Sequence, residues 1–280
     1  MTFDIGGIRA AMSVKRMKTA VITALILSMN LTAACGGRNN SAVILAGSTS
    51  VQPYAEVLAE EYALLYPESA IDVQGGGSSA GLAAAESGTA DIGMSSRELN
   101  EQEKLLWSVE IAKDGLAVIV NPGNPVSDLR IEQVRDIYAG VIYNWSDLGG
   151  ENANIHIITR EEGSGTRSAF ESLVMDQSEI TPKAIVQGSN GAVRQLVSSD
   201  PNSIGFISLG LVVKTVKALR LDGVTATAEN IKNGSYSLFR PFLFVTKSPP
   251  TGDVKQFVDF TLSAEGQRHL IIEGLIPSSN

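Results

Sequence analysis

Three times along this chain a short apolar run gives way to a loop of Gly, Ser and Thr that opens a helix. The loops are Gly47-Ser48-Thr49-Ser50, Gly75-Gly76-Gly77-Ser78-Ser79 and Gly163-Ser164-Gly165-Thr166. A chain that repeats strand, tight loop and helix covers a sheet with helices, which restricts it to an α/β architecture. The loops also limit the chemistry. Each aims backbone N–H groups and the positive end of a helix at one point, Gly lets the backbone come close, and the hydroxyls add donors. In open α/β sheets such loops lie beyond the carboxyl ends of the strands, where ligands bind. Taken singly, Ser or Thr before a helix is an ordinary N-cap. Three such loops, with Arg160 just ahead of Ser164 to clamp an oxyanion in two-pronged fashion, suit a small tetrahedral anion.

The pattern between the loops is consistent with this. Apolar runs predict strands over 42–46, 71–74, 91–94, 116–120, 155–159, 184–187, 203–207 and 240–246. Val51, Tyr54, Ala55, Leu58, Tyr62 and Leu65 recur at helical spacing, with Pro53 in the first turn where a missing N–H costs nothing. Further helices are expected at 82–87, 131–138, after the 163–166 loop, at 189–199, and over 251–262 and 264–272. A mostly parallel sheet follows, with regions near 120 and 235 where the chain can leave one lobe and return.

Composition excludes several classes. With 44% hydrophobic residues in 280, the chain can bury one large core or two medium ones. One Cys rules out a disulfide scaffold, and with only two His no zinc or other metal centre is expected. A formal net charge of −8 and 6% aromatic residues disfavour a nucleic-acid surface or a stacking platform. No G-x-x-x-x-G-K-[ST] run exists to cradle a nucleotide, and no cofactor is expected.

The first 34 residues read as an export signal. Arg9, Lys15, Arg16 and Lys18 precede an apolar run over 19–34, too short and interrupted by Asn30 to span a bilayer at about 20 residues. Met12 or Met17 would make a more usual start than Met1. The single Cys, Cys35, follows Ala33-Ala34, where a bacterial lipoprotein is cleaved and lipidated, although Thr32 stands where Leu, Val or Ile is usual; residues 35–41 then form a tether. The alternatives are a core cysteine or plain signal cleavage nearby. Removing the signal takes away four bases and one acid, so an anion must be held by local geometry against the field of the chain.

Neighbouring residues have plainer readings. Glu161 and Glu162 favour the helix start or pair with Arg160, Asp91 accepts a hydrogen bond at a strand edge, Trp107 and Trp145 pack, and His156 sits on a strand. A hydrolase is the rival from another class: Gly77-Ser78-Ser79-Ala80-Gly81 satisfies G-x-S-x-G between a strand and a helix, with His269 later in the chain. Against it, no HGGG-like oxyanion segment precedes Ser79, and His269 falls on an expected helix.

The runs GSTSVQPYAEVLAEEY, IDVQGGGSSAG, SGTADIGMSSREL, NWSDLGG, TREEGSGTRSAFE and QGSNGAV occur in this order and together resemble the phosphate-specific substrate-binding proteins of ABC transporters, the PstS-like family. The likeness covers 42–277. It implies a type II periplasmic-binding-protein fold, two α/β lobes joined by two crossovers, with 42–119 and 236–280 in one lobe and 120–235 in the other. It further implies a binding protein, not an enzyme, with inorganic phosphate and a membrane permease as partners, and a monomer is expected. Carried over by position, the family's ligands fall on Thr49 and Ser50 with Ser48 adjacent, on Ser78, and on Arg160, Ser164, Gly165 and Thr166. Many family members carry Asp where Ser96 stands here, so sulfate or molybdate remains an alternative ligand; Arg97 is a candidate second cation, or a surface residue paired with Glu98 or Glu101.

Overall fold

The computed structural model describes residues 42–278. The expected signal segment 1–34, Cys35 and the rest of the 35–41 tether lie outside the described residues. Strand β1 (Val43–Gly47) turns into helix α1 (Gln52–Leu65), β2 (Ile71–Gly75) into α2 (Ser78–Ser87), and β3 (Ile92–Ser95) follows. β4 (Trp107–Val120) leads to β5 (Asp128–Leu129), α3 (Ile131–Tyr138) and a 3-10 turn at Trp145–Leu148. β6 (His156–Arg160) precedes α4 (Gly165–Phe170), which runs on as a π-helical turn over Glu171–Met175. Then come β7 (Ile185–Gln187), α5 (Asn190–Ser199), β8 (Ser203–Ser208), β9 (Lys217–Ala218), β10 (Arg220–Leu221) and α6 (Ala228–Lys232). β11 (Phe239–Thr246), α7 (Gly252–Leu262), α8 (Ala264–Ile272) and β12 (Ile276–Pro277) complete the chain.

Local chemistry accounts for the elements beside the loops. Helix α1 buries Tyr54, Ala55, Leu58 and Tyr62 as the spacing predicts, and Tyr62 meets Phe257 edge-on at 5.3 Å. Ser164 and Ser189 cap α4 and α5, accepting from the N–H groups of Arg167 (3.3 Å) and Ala192 (3.1 Å); each such cap contributes about 1 kcal/mol. Helix α2 starts at Ser78, earlier than the apolar pattern alone predicts. Gly77 at φ 91° makes the turn into it, a conformation other residues reach only with strain. Gly81 then lets α2 lie directly on β1, because a β-carbon there would run into the Ala46 carbonyl oxygen.

Eight strands form one path, β2-β1-β3-β11-β4-β8-β6-β7, with β9 and β12 added against β4, while β5 and β10 pair separately. Its two ends are parallel: β1 with β2 and β3, β6 with β7 and β8. The middle is antiparallel, contrary to the expectation of a mostly parallel sheet, because β11 returns against both β3 and β4. β4 is the pivot. It pairs with β11 over residues 107–115 and with β8 over residues 116–120.

Two large cores lie along this sheet. One gathers Leu45, Leu58, Ile92, Phe242, Phe244 and Phe257; the other gathers Leu116, Val118, Val134, Phe170 and Phe206. Ala112 of β4 belongs to the first and Leu116 to the second, while Leu238 and Phe242 make the same change around β11. The run 116–120 is continuously apolar because both its faces are covered: Leu116, Val118 and Val120 enter one cluster, Ala117 and Ile119 another. Each such fully buried aliphatic or aromatic side chain contributes about 1.5–3 kcal/mol. No helix among the described residues is long and apolar enough to cross a membrane.

Candidate anion-binding site

The three loops meet where the two cores adjoin. Ser48 and Ser50 follow β1, Ser78 begins α2, and Ser96 follows β3; all four are buried. Ser48 Oγ donates to Ser96 Oγ at 2.8 Å, and the Ser96 N–H donates to Ser78 Oγ at 3.1 Å. From the other core come Arg160 at the end of β6, Ser164 and Thr166 around the start of α4, and Asn190 at the start of α5, each about 1% exposed. Ser50 Oγ lies 2.8 Å from Thr166 Oγ1 and accepts from Asn190 Nδ2 at 2.9 Å. Thr49 Oγ1 accepts from Arg160 Nη2 at 3.2 Å and from Asn190 Nδ2 at 3.3 Å. The Ser79 N–H donates to the Gly163 carbonyl at 3.1 Å. These bonds join segments far apart in the chain into one polar cluster.

Charge is concentrated in two buried guanidinium groups. Arg160 uses Nε and Nη2 on Glu161, both at 2.8 Å, as the pairing of these neighbours predicts. Arg240 on β11 uses Nε and Nη2 on Asp114 of β4 at 3.2 and 3.0 Å, and Nη2 also donates to Ser50 Oγ at 3.0 Å. Burial pushes the Asp114 carboxyl up, opposed by the Arg240 charge and the Ser208 hydroxyl; it pushes Arg240 down, opposed by Asp114. Arg160 Nη1 and Arg240 Nη1 are buried with no hydrogen-bond partner among the described residues. A buried donor left unpaired costs about 1–3 kcal/mol, more when charged, so both nitrogens call for an acceptor. Hydroxyls and unspent guanidinium donors gathered in one buried cluster suit a small oxyanion.

Of the residues singled out from sequence, Ser48, Thr49, Ser50, Ser78, Ser96, Arg160, Ser164, Gly165 and Thr166 come together. Gly165 packs so closely on the opposite loops that a β-carbon would stand 2.6 Å from Ser96 Oγ and 3.1 Å from Ser78 Cβ. Arg97 is turned aside: its Nη1 and Nη2 grip Glu103 at 2.7 and 2.8 Å, neither of the acids expected for it, and it lines a cavity of about 460 Å³ that Arg240 also borders. Asn190 and Arg240 were not found from the sequence, although each is the one strongly polar side chain at its place in an otherwise capping or apolar run. Ser79 Oγ accepts from Arg97 Nη2 at 3.3 Å, while His269 pairs with Glu61 and His156 with Asp200, so among the described residues neither histidine is the partner of Ser79. Asp91 accepts from the Ile44 N–H at 2.9 Å, and Trp145 is buried, as expected.

Comparison with known proteins gives the fold class first. A family model described as a PBP superfamily domain matches residues 32–265. A phosphate-binding protein PstS of Bacillus subtilis is 30% identical over 94% of this chain and 95% of its own length; one from Borreliella burgdorferi is 29% identical over 90% and 95%. Among solved structures, a candidate phosphate ABC transporter substrate-binding protein from Clostridium perfringens, with bound phosphate, is 44% identical at a TM-score of 0.83, covering 85% of this chain and all of that one. An ABC-type phosphate transport receptor from Vibrio cholerae is 40% identical at a TM-score of 0.71, covering 84% and 100%. The architecture is thus a periplasmic-binding-protein fold. Within it, the chain belongs to the PstS-like family of ABC-transporter substrate-binding proteins.

Proposed function

We propose that this protein captures one inorganic phosphate by closing two lobes around it and hands it to the membrane permease of an ABC importer. The observation that carries this is Arg160: it is about 1% exposed, and its Nη1 lies unpartnered beside hydroxyl-rich loops drawn from both cores. The relatives named as phosphate-binding proteins, and the similar chain solved with phosphate, support the identity of the anion. One lobe comprises 42–119 and 236–280, the other 120–235. The first presents Ser48, Thr49, Ser50, Ser78 and Ser96; the second completes the shell with Arg160, Ser164, Gly165 and Thr166. Arg97 would join them only by releasing Glu103. Closure expels water, so each charged hydrogen bond strengthens as the dielectric falls. The protein acts as a monomeric carrier without catalysis, exported and held at the outer face of the cytoplasmic membrane through lipidated Cys35.

Ser96 favours a second reading, a receptor for sulfate or molybdate, because a hydroxyl there both donates and accepts where a carboxylate would repel a fully ionised anion. Calorimetric titration decides between them, after unfolding, dialysis and refolding strip any carried-over anion. Micromolar or tighter one-to-one phosphate binding, with sulfate at least about a hundredfold weaker (about 2.7 kcal/mol), supports the phosphate receptor. Equal sulfate binding makes it a general oxyanion receptor, and no heat from any of the three anions refutes the function.

A further inference from the structure

Arg240 and Asp114 form an ion pair that the fold has little reason to bury. They face each other directly across the β11–β4 ladder, where the first core gives way to the second. The two side chains are 2% and 1% exposed. Asp114 is saturated: Oδ2 takes Nε and Nη2 of Arg240, and Oδ1 accepts from Ser208 Oγ at 2.9 Å. Arg240 is not. Nη2 reaches past Asp114 to Ser50 Oγ, and Nη1 is buried without a partner among the described residues. Removing a guanidinium from water costs several kcal/mol, and a pair that served packing alone would be outdone by apolar side chains of the same volume. The Ser50 bond shows which way the group is aimed, since Ser50 Oγ also accepts from Asn190 and lies against Thr166.

We propose that Arg240 is a second cationic ligand of the phosphate site, contacting the anion from the crossover strand through Nη1, and that Asp114 is the positioning residue that holds its guanidinium plane. This rests on the phosphate reading above and adds a ligand to it. Arg160 is matched by Glu161 and Arg240 by Asp114, so the bound anion meets two fixed guanidinium groups without a large net positive charge in the empty site.

The test is a set of calorimetric titrations on the full chain with phosphate, sulfate and molybdate, for wild type, Arg240→Gln, Arg240→Lys, Asp114→Asn and the double variant. Arg240→Gln strands a buried carboxylate and can fail to fold. The double variant Asp114→Asn with Arg240→Gln removes both charges together and keeps the experiment decisive, with folding checked by thermal unfolding. A structural pair predicts that the double variant recovers wild-type affinity. A ligand role predicts at least about a tenfold loss that persists in it, partial retention in Arg240→Lys, and a loss in Asp114→Asn that disappears once Arg240 is already replaced, as expected for coupled residues. A folded double variant within about threefold of wild type overturns the assignment of Arg240. Wild type that binds none of the three anions overturns the receptor function and this ligand with it, so the two failures are distinguishable.

Discussion

Gly165 offers the sharpest test of the proposed closure, because a single methyl group there is expected to oppose binding without harming the fold. It is the first residue of α4, buried against loops that follow β3 and open α2. A β-carbon would collide with Ser78 Oγ and come within 2.6 Å of Ser96 Oγ, both of which hydroxyl rotation can relieve. It would also stand 3.1 Å from Ser78 Cβ, which no rotation moves. Carbon atoms prefer about 3.5–4.0 Å, so the start of α4 must withdraw by roughly 0.5 Å. Overpacking of this kind costs about 1–3 kcal/mol, and at 1.4 kcal/mol per factor of ten the loss in affinity is about 5- to 150-fold. In the proposed closure the parted lobes would not bring these atoms together, and Ala is the better helix former by up to about 1 kcal/mol. Gly165→Ala should therefore weaken phosphate binding while leaving the thermal unfolding of the unliganded protein unchanged or raised. The assay is calorimetric titration beside a melting curve on the same sample. Affinity within about threefold of wild type, or a melting point that falls in step with the affinity, would show that the close approach at Gly165 is not what binding requires.

Three further outcomes follow from the site. Arg160→Ala removes a charged donor and should weaken phosphate binding by about 2 kcal/mol, roughly thirtyfold, in the same titration; unchanged affinity would take Arg160 out of the shell. Ser96→Asp should widen the gap between phosphate and sulfate, since a carboxylate accepts from protonated phosphate and repels sulfate; a proportional loss of both ligands would count against that role. Hydrogen bonds from Arg97 hold the Glu103 carboxyl below its ordinary range, so the pair's stabilisation is present above that range and lost as pH falls through the folded-state value. Glu103→Gln should flatten the acid side of the stability curve by no more than about 1 kcal/mol, measured by thermal unfolding from neutral into acid, and an unaltered curve would leave the pair without energetic weight.

What could be read from the chain and what could not differ in the range of the interaction. The Gly/Ser/Thr loops announce themselves because their chemistry is local: Ser164 and Ser189 cap the helices they precede, and Glu161 grips the arginine beside it. The run at 116–120 was legible as a strand because both faces are apolar, whereas the polar-interrupted first part of β4, residues 107–115, was not. Asn190 reaches Ser50 across 140 residues and Arg240 reaches it across 190, separations that no window of sequence contains. Yet a signal existed. A charge inside an apolar strand needs a partner, and RPFLFVT carries one such charge, Arg240, and IAKDGLAVIV two, Lys113 and Asp114. The pairing of Arg240 with Asp114 was the piece missing, along with the antiparallel return that sets the two opposite each other.

That pairing also bears on how a chain of net charge −8 comes to hold an anion. Fields from exposed carboxylates fade over about 8 Å in physiological salt, whereas groups inside a closed cleft are screened far less. In the proposed site the anion would meet a short-range arrangement: two guanidinium groups whose charge is matched by Glu161 and Asp114, and serine and threonine hydroxyls. Matching each arginine with its own acid lets the empty site be buried at tolerable cost, because neither cation is left alone in a low-dielectric interior. In that proposal the Nη1 atoms of both arginines supply the directional donors to the anion. Binding strength in such a site comes from geometry fixed by β1, β3, β6 and β11, and the acidity of the surface has little purchase on it.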